Sequence, residues 1–137
     1  MDKIDQRPTV LLADDNQRIL DIVSRLISSR FRVVAAVKDG QTAVEAASDL
    51  MPDLAVLDIT MPGIDGFQAA RSIKRVSCKT RILFLTAHES DEYVSAAFES
   101  HAQGCIFKTR IYSDLIAAIE QALAGQVFIS SSHVRKT

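Results

Sequence analysis

The chain has 137 residues, 47% of them hydrophobic, which is enough for one ordinary core and too little for two. Lys and Arg number 16 against 17 Asp and Glu, so a net charge of −1 supplies no general field toward nucleic acid or an anionic membrane. The segment Met1 to Pro8 lacks the apolar stretch of a signal peptide, and every later apolar run falls far short of the ~18 residues of a membrane span, so a cytoplasmic protein is expected.

Along the chain, short apolar runs alternate with segments of helical period. Thr9 to Ala13 reads as a strand, and Ile19, Ile22, Val23, Leu26 and Ile27 then recur at the spacing of one helix face. Phe31 to Val37 is rich in β-branched residues, and Ala43, Ala46, Ala47 and Leu50 mark a second helix, with Thr42 and Glu45 spaced as its capping box. Leu54 to Leu57 leads through a Pro/Gly loop into Phe67, Ala70 and Ile73, and Ile82 to Leu85 leads into Val94, Ala97 and Phe98. Gly104 to Phe107 precedes Tyr112, Leu115, Ile116, Ile119 and Leu123, and Gly125 stands where a C-terminal glycine would stop that helix.

The expectation is five strands alternating with five helices. Strict alternation implies a parallel sheet, because parallel neighbours need crossovers and right-handed crossovers place helices on both faces. Residues 1–129 are read as one α/β unit, with Ser130 to Ser132 and the basic Arg135-Lys136 in a fraying tail or the start of a linker. Cys78 and Cys105 stand outside any Cys-x-x-Cys spacing and lack the neighbours of a zinc site, so they read as reduced thiols.

In an open α/β sheet, ligands gather beyond the carboxyl ends of the strands. Strand one exits at Asp14-Asp15, strand three at Asp58, strand four at Thr86 and strand five at Lys108. Taken singly, each has an ordinary explanation: an Asp capping the next helix, an Asp opening the turn before Pro62-Gly63, one more β-branched strand residue, a solvated lysine. Their coincidence at four strand exits is what those explanations fail to supply. Three carboxylates in one crevice repel one another unless a cation compensates, and an all-oxygen set suits hard Mg²⁺. One carboxylate could then act as a nucleophile on a phosphoryl donor, with Lys108 and Thr86 suited to holding the phosphoryl oxygens.

Leu11-Leu12-Ala13-Asp14-Asp15, the run Leu57-Asp58-Ile59-Thr60-Met61-Pro62-Gly63-Ile64-Asp65-Gly66, then Leu85-Thr86-Ala87 and Phe107-Lys108 resemble the motifs of two-component response-regulator receiver domains. The resemblance runs nearly end to end. It implies a flavodoxin-like sheet in the order 2-1-3-4-5 with five helices. It implies that Asp58 is the phosphoacceptor, that Asp15 and Asp58 bind Mg²⁺ directly, that Asp14 helps through water, and that the Thr60 carbonyl completes the protein ligands. It further implies a sensor histidine kinase or phosphotransfer protein as donor and self-phosphorylation and self-dephosphorylation as the sole activities. Thr60 and His88 would flank the path of the hydrolytic water.

Asp39-Gly40, Met51-Pro52-Asp53 and Ala124 to Ser130 resemble the nitrate-regulator-like branch, whose members usually carry a C-terminal helix-turn-helix domain. That domain has no room after Gly125. The chain is therefore expected to be a receiver fragment or a single-domain regulator, contacting DNA only through an output domain it does not itself contain, with a phosphorylation-dependent homodimer left open. Two positions depart from the family pattern. Thr109 follows the active-site lysine where Pro is common, and a cis bond before Thr would cost about 2.5–4 kcal/mol, so Lys108-Thr109 is expected to be trans. Cys105 replaces a common aromatic, leaving Thr86 as the lever that would remodel the face from Ser90 to His101, Cys105 to Lys108 and Ser113 to Leu123. A Mg²⁺-dependent phosphatase would need a general acid and a cap for which the short connections leave little room. A receiver-like module that takes no phosphate would be expected to lack one of the five residues.

Overall fold

The computed structural model describes residues 5–100 and 102–129; His101 and the tail from Ser130, for which fraying was expected, lie outside them. In chain order the elements are β1 (Thr9–Ala13), α1 (Gln17–Ile27), β2 (Arg32–Val37), α2 (Gly40–Leu50), β3 (Leu54–Asp58) and α3 (Gly66–Val76). There follow β4 (Arg81–Thr86), α4 (Asp91–Glu99), β5 (Gly104–Phe107), a 3₁₀ turn (Lys108–Arg110), α5 (Ile111–Leu123) and β6 (Phe128–Ile129). The sheet is wholly parallel in the order β2-β1-β3-β4-β5-β6.

The doubly wound, flavodoxin-like arrangement expected from the alternation is present. β3 and β5 are buried along their whole length, as central strands covered on both faces must be. One face packs Ala43 and Ala47 of α2, Ala69, Ala70 and Ile73 of α3 and Ala97 of α4 against the sheet. The other packs Leu20, Val23 and Ile27 of α1 against Leu115, Ala118, Ile119 and Ala122 of α5 and the strands between them. Each large aliphatic side chain so buried contributes about 1.5–3 kcal/mol before the entropy of ordering is counted. Among the described residues no helix is long and apolar enough to cross a membrane.

Two local expectations are corrected, and one ordinary explanation of the acidic pair is set aside. The Thr42/Glu45 capping box is not formed: Asp39 caps α2 by accepting from the Thr42 N–H at 2.8 Å, so the helix begins at Gly40. Neither Asp14 nor Asp15 caps α1, because Asn16 accepts from the backbone N–H groups of Arg18 and Ile19. The sheet also has a sixth strand. Gly125 does end α5, with φ +81, and the chain then turns back so that Phe128 N donates to Gln103 O at 3.0 Å. A Cβ on Gly104 would lie 2.3 Å from Phe128 O, so only glycine at that point of β5 lets β6 pair. The described residues contain no cis peptide, so Lys108-Thr109 is trans as expected.

A candidate acidic site at the strand ends

Strand order reverses between β1 and β3, and there the crevice opens beyond the carboxyl ends. Ala13 is paired with Leu57 and Asp58 with Leu85, which brings Asp14 and Asp58 to one level. The loop after Asp58 is drawn tight: Gly66 N donates to Ile59 O at 2.7 Å. A Cβ on Gly66 would sit 2.3 Å from Asp58 O, so a side chain here would push α3 off the site. Ile59 and Met61, between the polar residues of that loop, are buried in the core and anchor it.

Asp14 and Asp58 are 2% and 6% exposed, whereas Asp15 is exposed. One carboxylate oxygen from each of the three lies within 4.8 Å of the others. Lys108, at the start of the 3₁₀ turn, reaches between the two buried acids. Its Nζ is 2.8 Å from Asp14 Oδ2 and donates to Asp58 Oδ2 at 3.1 Å. Asp14 Oδ2 is buried and, apart from this ion pair, has no hydrogen-bond partner among the described residues. Asp14 Oδ1 accepts from Asn16 N at 2.9 Å, and Asp58 Oδ1 from Thr60 N at 3.3 Å.

Burial raises the Asp58 pKa above the ordinary carboxylate value, and the charge of Asp14 adds to this, while Lys108 and the Thr60 N–H oppose it. Burial works against the Lys108 ammonium too, but the two carboxylates outweigh it and hold its pKa up. One cation is thus shared by two buried anions and fully compensates neither. Counting Asp15, three carboxylates face one ammonium, and a divalent ion would cancel the two remaining negative charges. The all-oxygen donors and the orphaned Asp14 Oδ2 fit a hard divalent cation.

Thr86 ends β4, fully buried, one residue beyond the partner of Asp58. Its Oγ1 accepts from the His88 N–H at 2.9 Å, so the hydroxyl is engaged by its own loop. Thr60 Oγ1 and His88 Nε2 are 3.4 Å apart, and the His88 ring stacks on Tyr93 of α4 with centroids 4.3 Å apart. Tyr93 stacks in turn on Phe67 of α3, which meets Phe84 of β4 edge to face. Cys105 is fully buried in the core beside Phe84 in register, and burial pushes its thiol up to about 12. The structure thus brings Asp14, Asp15 and Asp58 together with Lys108 between the two buried acids, with Thr60 in the loop after β3 and Thr86 at the end of β4.

Two features of the site were not read from sequence. The His88–Tyr93 stack joins the mouth of the crevice to α4, and Thr109 Oγ1 donates to Glu89 Oε2 at 2.8 Å across two separate loops. The only trace of the latter in sequence is that residue 109 carries a hydroxyl.

Comparison with known proteins agrees with this geometry. Residues 10–120 match the family model of the response regulator receiver domain. The nitrate/nitrite response regulator protein NarL of Escherichia coli is 33% identical over 126 residues, which cover 90% of this chain and 58% of that protein. The chain therefore spans little more than half the length of this curated relative. A two-component response regulator of the LuxR family from Aurantimonas superposes with a TM-score of 0.85 at 32% identity, covering 93% of this chain and 91% of the other. The signal receiver domain of the putative response regulator NarL from Mycobacterium tuberculosis gives 0.84 at 29% identity, covering 89% and 100%.

Proposed function

The chain belongs to the response regulator receiver domain family, and we propose that within it Asp58 accepts a phosphoryl group and converts it into a change on the face of α4, β5 and α5. The role is signalling, and the relatives it matches are response regulators of the NarL and LuxR type. The observation that carries the assignment is the position of Asp58: buried at the end of β3, beside Asp14 and Asp15, with Lys108 Nζ at 3.1 Å.

In the proposed reaction an Asp58 carboxylate oxygen forms the new bond to phosphorus as the donor's bond to its leaving group breaks. Lys108, already in the crevice on a flexible stem, moves from the carboxylates to a phosphoryl oxygen, and the Thr86 hydroxyl donates to another. Mg²⁺ held by Asp14, Asp15, Asp58 and the Thr60 carbonyl would supply charge neutralisation for the incoming phosphoryl oxygens. Thr60 Oγ1 and His88 Nε2 stand 3.4 Å apart and the Thr60 N–H donates to Asp58, which supports a role for the pair in admitting the water that later hydrolyses the acyl phosphate. Self-dephosphorylation is the second activity.

The donor is a sensor histidine kinase or phosphotransfer protein in the cytoplasm, and phosphorylation favours a homodimer. Control of transcription would pass through an output domain outside these 137 residues. Residues 1–129 are assigned to the receiver unit, in keeping with the family match over residues 10–120, and 130–137 to a tail or linker. Incubation with acetyl phosphate and Mg²⁺ should add one phosphoryl group by intact mass. An equal adduct at the same place in Asp58→Asn would overturn the assignment of the nucleophile.

A further inference from the structure

The 3₁₀ turn that presents Lys108 has no side-chain cap, and neither has the start of α5 that follows it. Its middle residue, Thr109, instead reaches across the crevice. Thr109 Oγ1 donates to Glu89 Oε2 at 2.8 Å, joining residues 20 positions apart in the β4–α4 and β5–α5 connections. Glu89 is half-buried, and the neighbouring Arg110, paired with Asp114 at 2.9 Å, also feels its charge. Thr109 is exposed, so the bond is of the modest, solvent-facing kind.

The same short loop holds Thr86 and His88. With Thr86 Oγ1 accepting from His88 N and the His88 ring stacked on Tyr93, the segment from Thr86 to Glu89 is held at three points. Movement of Thr86 toward a group on Asp58 would draw first on its bond to His88 N and, along the same short loop, on the tie at Glu89. Proline at position 109 could not make the tie, having no hydroxyl.

We propose that the Thr109–Glu89 hydrogen bond is a latch between the two walls of the crevice, and that these positioning residues set how readily Asp58 is phosphorylated. The inference rests on the phosphoacceptor reading. The latch favours the resting arrangement, so rearrangement to hold a phosphoryl group must overcome it. Loss of the hydroxyl lowers that barrier, and loss of the carboxylate removes the same bond together with the attraction of Glu89 for Arg110.

The test measures acetyl phosphate phosphorylation by intact mass for the full chain, with amide exchange of the first turn of α4 followed in the unphosphorylated protein. Thr109→Val should phosphorylate about threefold faster than the parent and exchange faster in that turn, whereas Thr109→Ser should restore both. Glu89→Ala should phosphorylate at least as fast as Thr109→Val, and adding Thr109→Val to it should bring no further gain. A Thr109→Val rate equal to or below the parent's, or additive effects in the double variant, would overturn the latch. Should the parent take no phosphoryl group on Asp58, the phosphoacceptor reading fails. The exchange comparison then still decides whether the tie holds α4, and unchanged exchange in Thr109→Val would refute it.

Discussion

At the edge of the sheet where the strands begin, the buried polar side chains Ser77 and Thr80 find hydrogen-bond partners within the chain. Thr80 Oγ1 donates to the buried Pro52 carbonyl and shares a hydrogen bond with Ser77 Oγ, both at 2.6 Å. Lys74 Nζ donates to the Cys78 and Thr80 carbonyls, each at 2.8 Å, and Asp53 Oδ2 accepts from both the N–H and the hydroxyl of Thr9. At the opposite edge two buried carboxylates share one lysine and Asp14 Oδ2, apart from that ion pair, has no hydrogen-bond partner among the described residues. The same sheet carries both edges. Polar groups at the first have their partners within the chain, whereas those at the second are left short of positive charge, as expected where a cation and a phosphoryl group are to bind.

The contrast predicts opposite signs for the same kind of substitution. The largest effect is expected from Thr80→Val, which keeps the side-chain shape but leaves the Pro52 carbonyl and Ser77 hydroxyl without their buried partner. Urea unfolding should show a loss of about 2–4 kcal/mol, and a loss within experimental error would mean the first edge is not held as described. Next, Mg²⁺ should stabilise the parent by about 2.7 kcal/mol at a hundredfold excess over its dissociation constant. The same titration should leave Thr80→Val with an equal increment and Asp58→Asn with a clearly smaller one.

A smaller effect is expected from Asp58→Asn without divalent ions. Removing one of two buried like charges should raise stability by about 1 kcal/mol, so that neutralising a polar group strengthens this edge where it weakens the other. The smallest is a slope with pH. Folding raises the Asp58 pKa above its ordinary value of 3.8, so just above that pH the folded chain binds more protons at Asp58 than the unfolded one. Its contribution to stability is therefore present at low pH and is lost as pH rises through the interval between the unfolded and folded values. Metal-free parent protein should lose stability relative to Asp58→Asn across that interval. A difference that stayed constant with pH would show that Asp14 and burial do not act on Asp58 as inferred.

Much of this was legible because it depends on short-range pattern. The period-2 and period-3.6 runs follow from which side of an element faces the core, and that is written in residues a few positions apart. The five helices and the first five strands appeared where those runs placed them. β6 escaped because two residues are too few to show a period and because its docking depends on Gly104, whose lack of a side chain matters only once Phe128 lies against it. The cap of α2 was misplaced for a related reason: Thr42 and Glu45 have box spacing, but Asp39 stood one turn earlier with a better acceptor.

By itself the amino-acid sequence determined the layered α/β architecture and the polar residues that stand at the strand exits, since both rest on local composition and on the rule that parallel strands all point their carboxyl ends one way. Only the tertiary structure decided that Asp14 is buried while Asp15 is exposed, that Lys108 bridges to Asp58 from 50 positions away, and that Thr109 reaches Glu89. Charge compensation and desolvation act through space. Which acid loses its water, and which lysine or hydroxyl stands beside it, is settled when crossovers distant in sequence pack against one sheet.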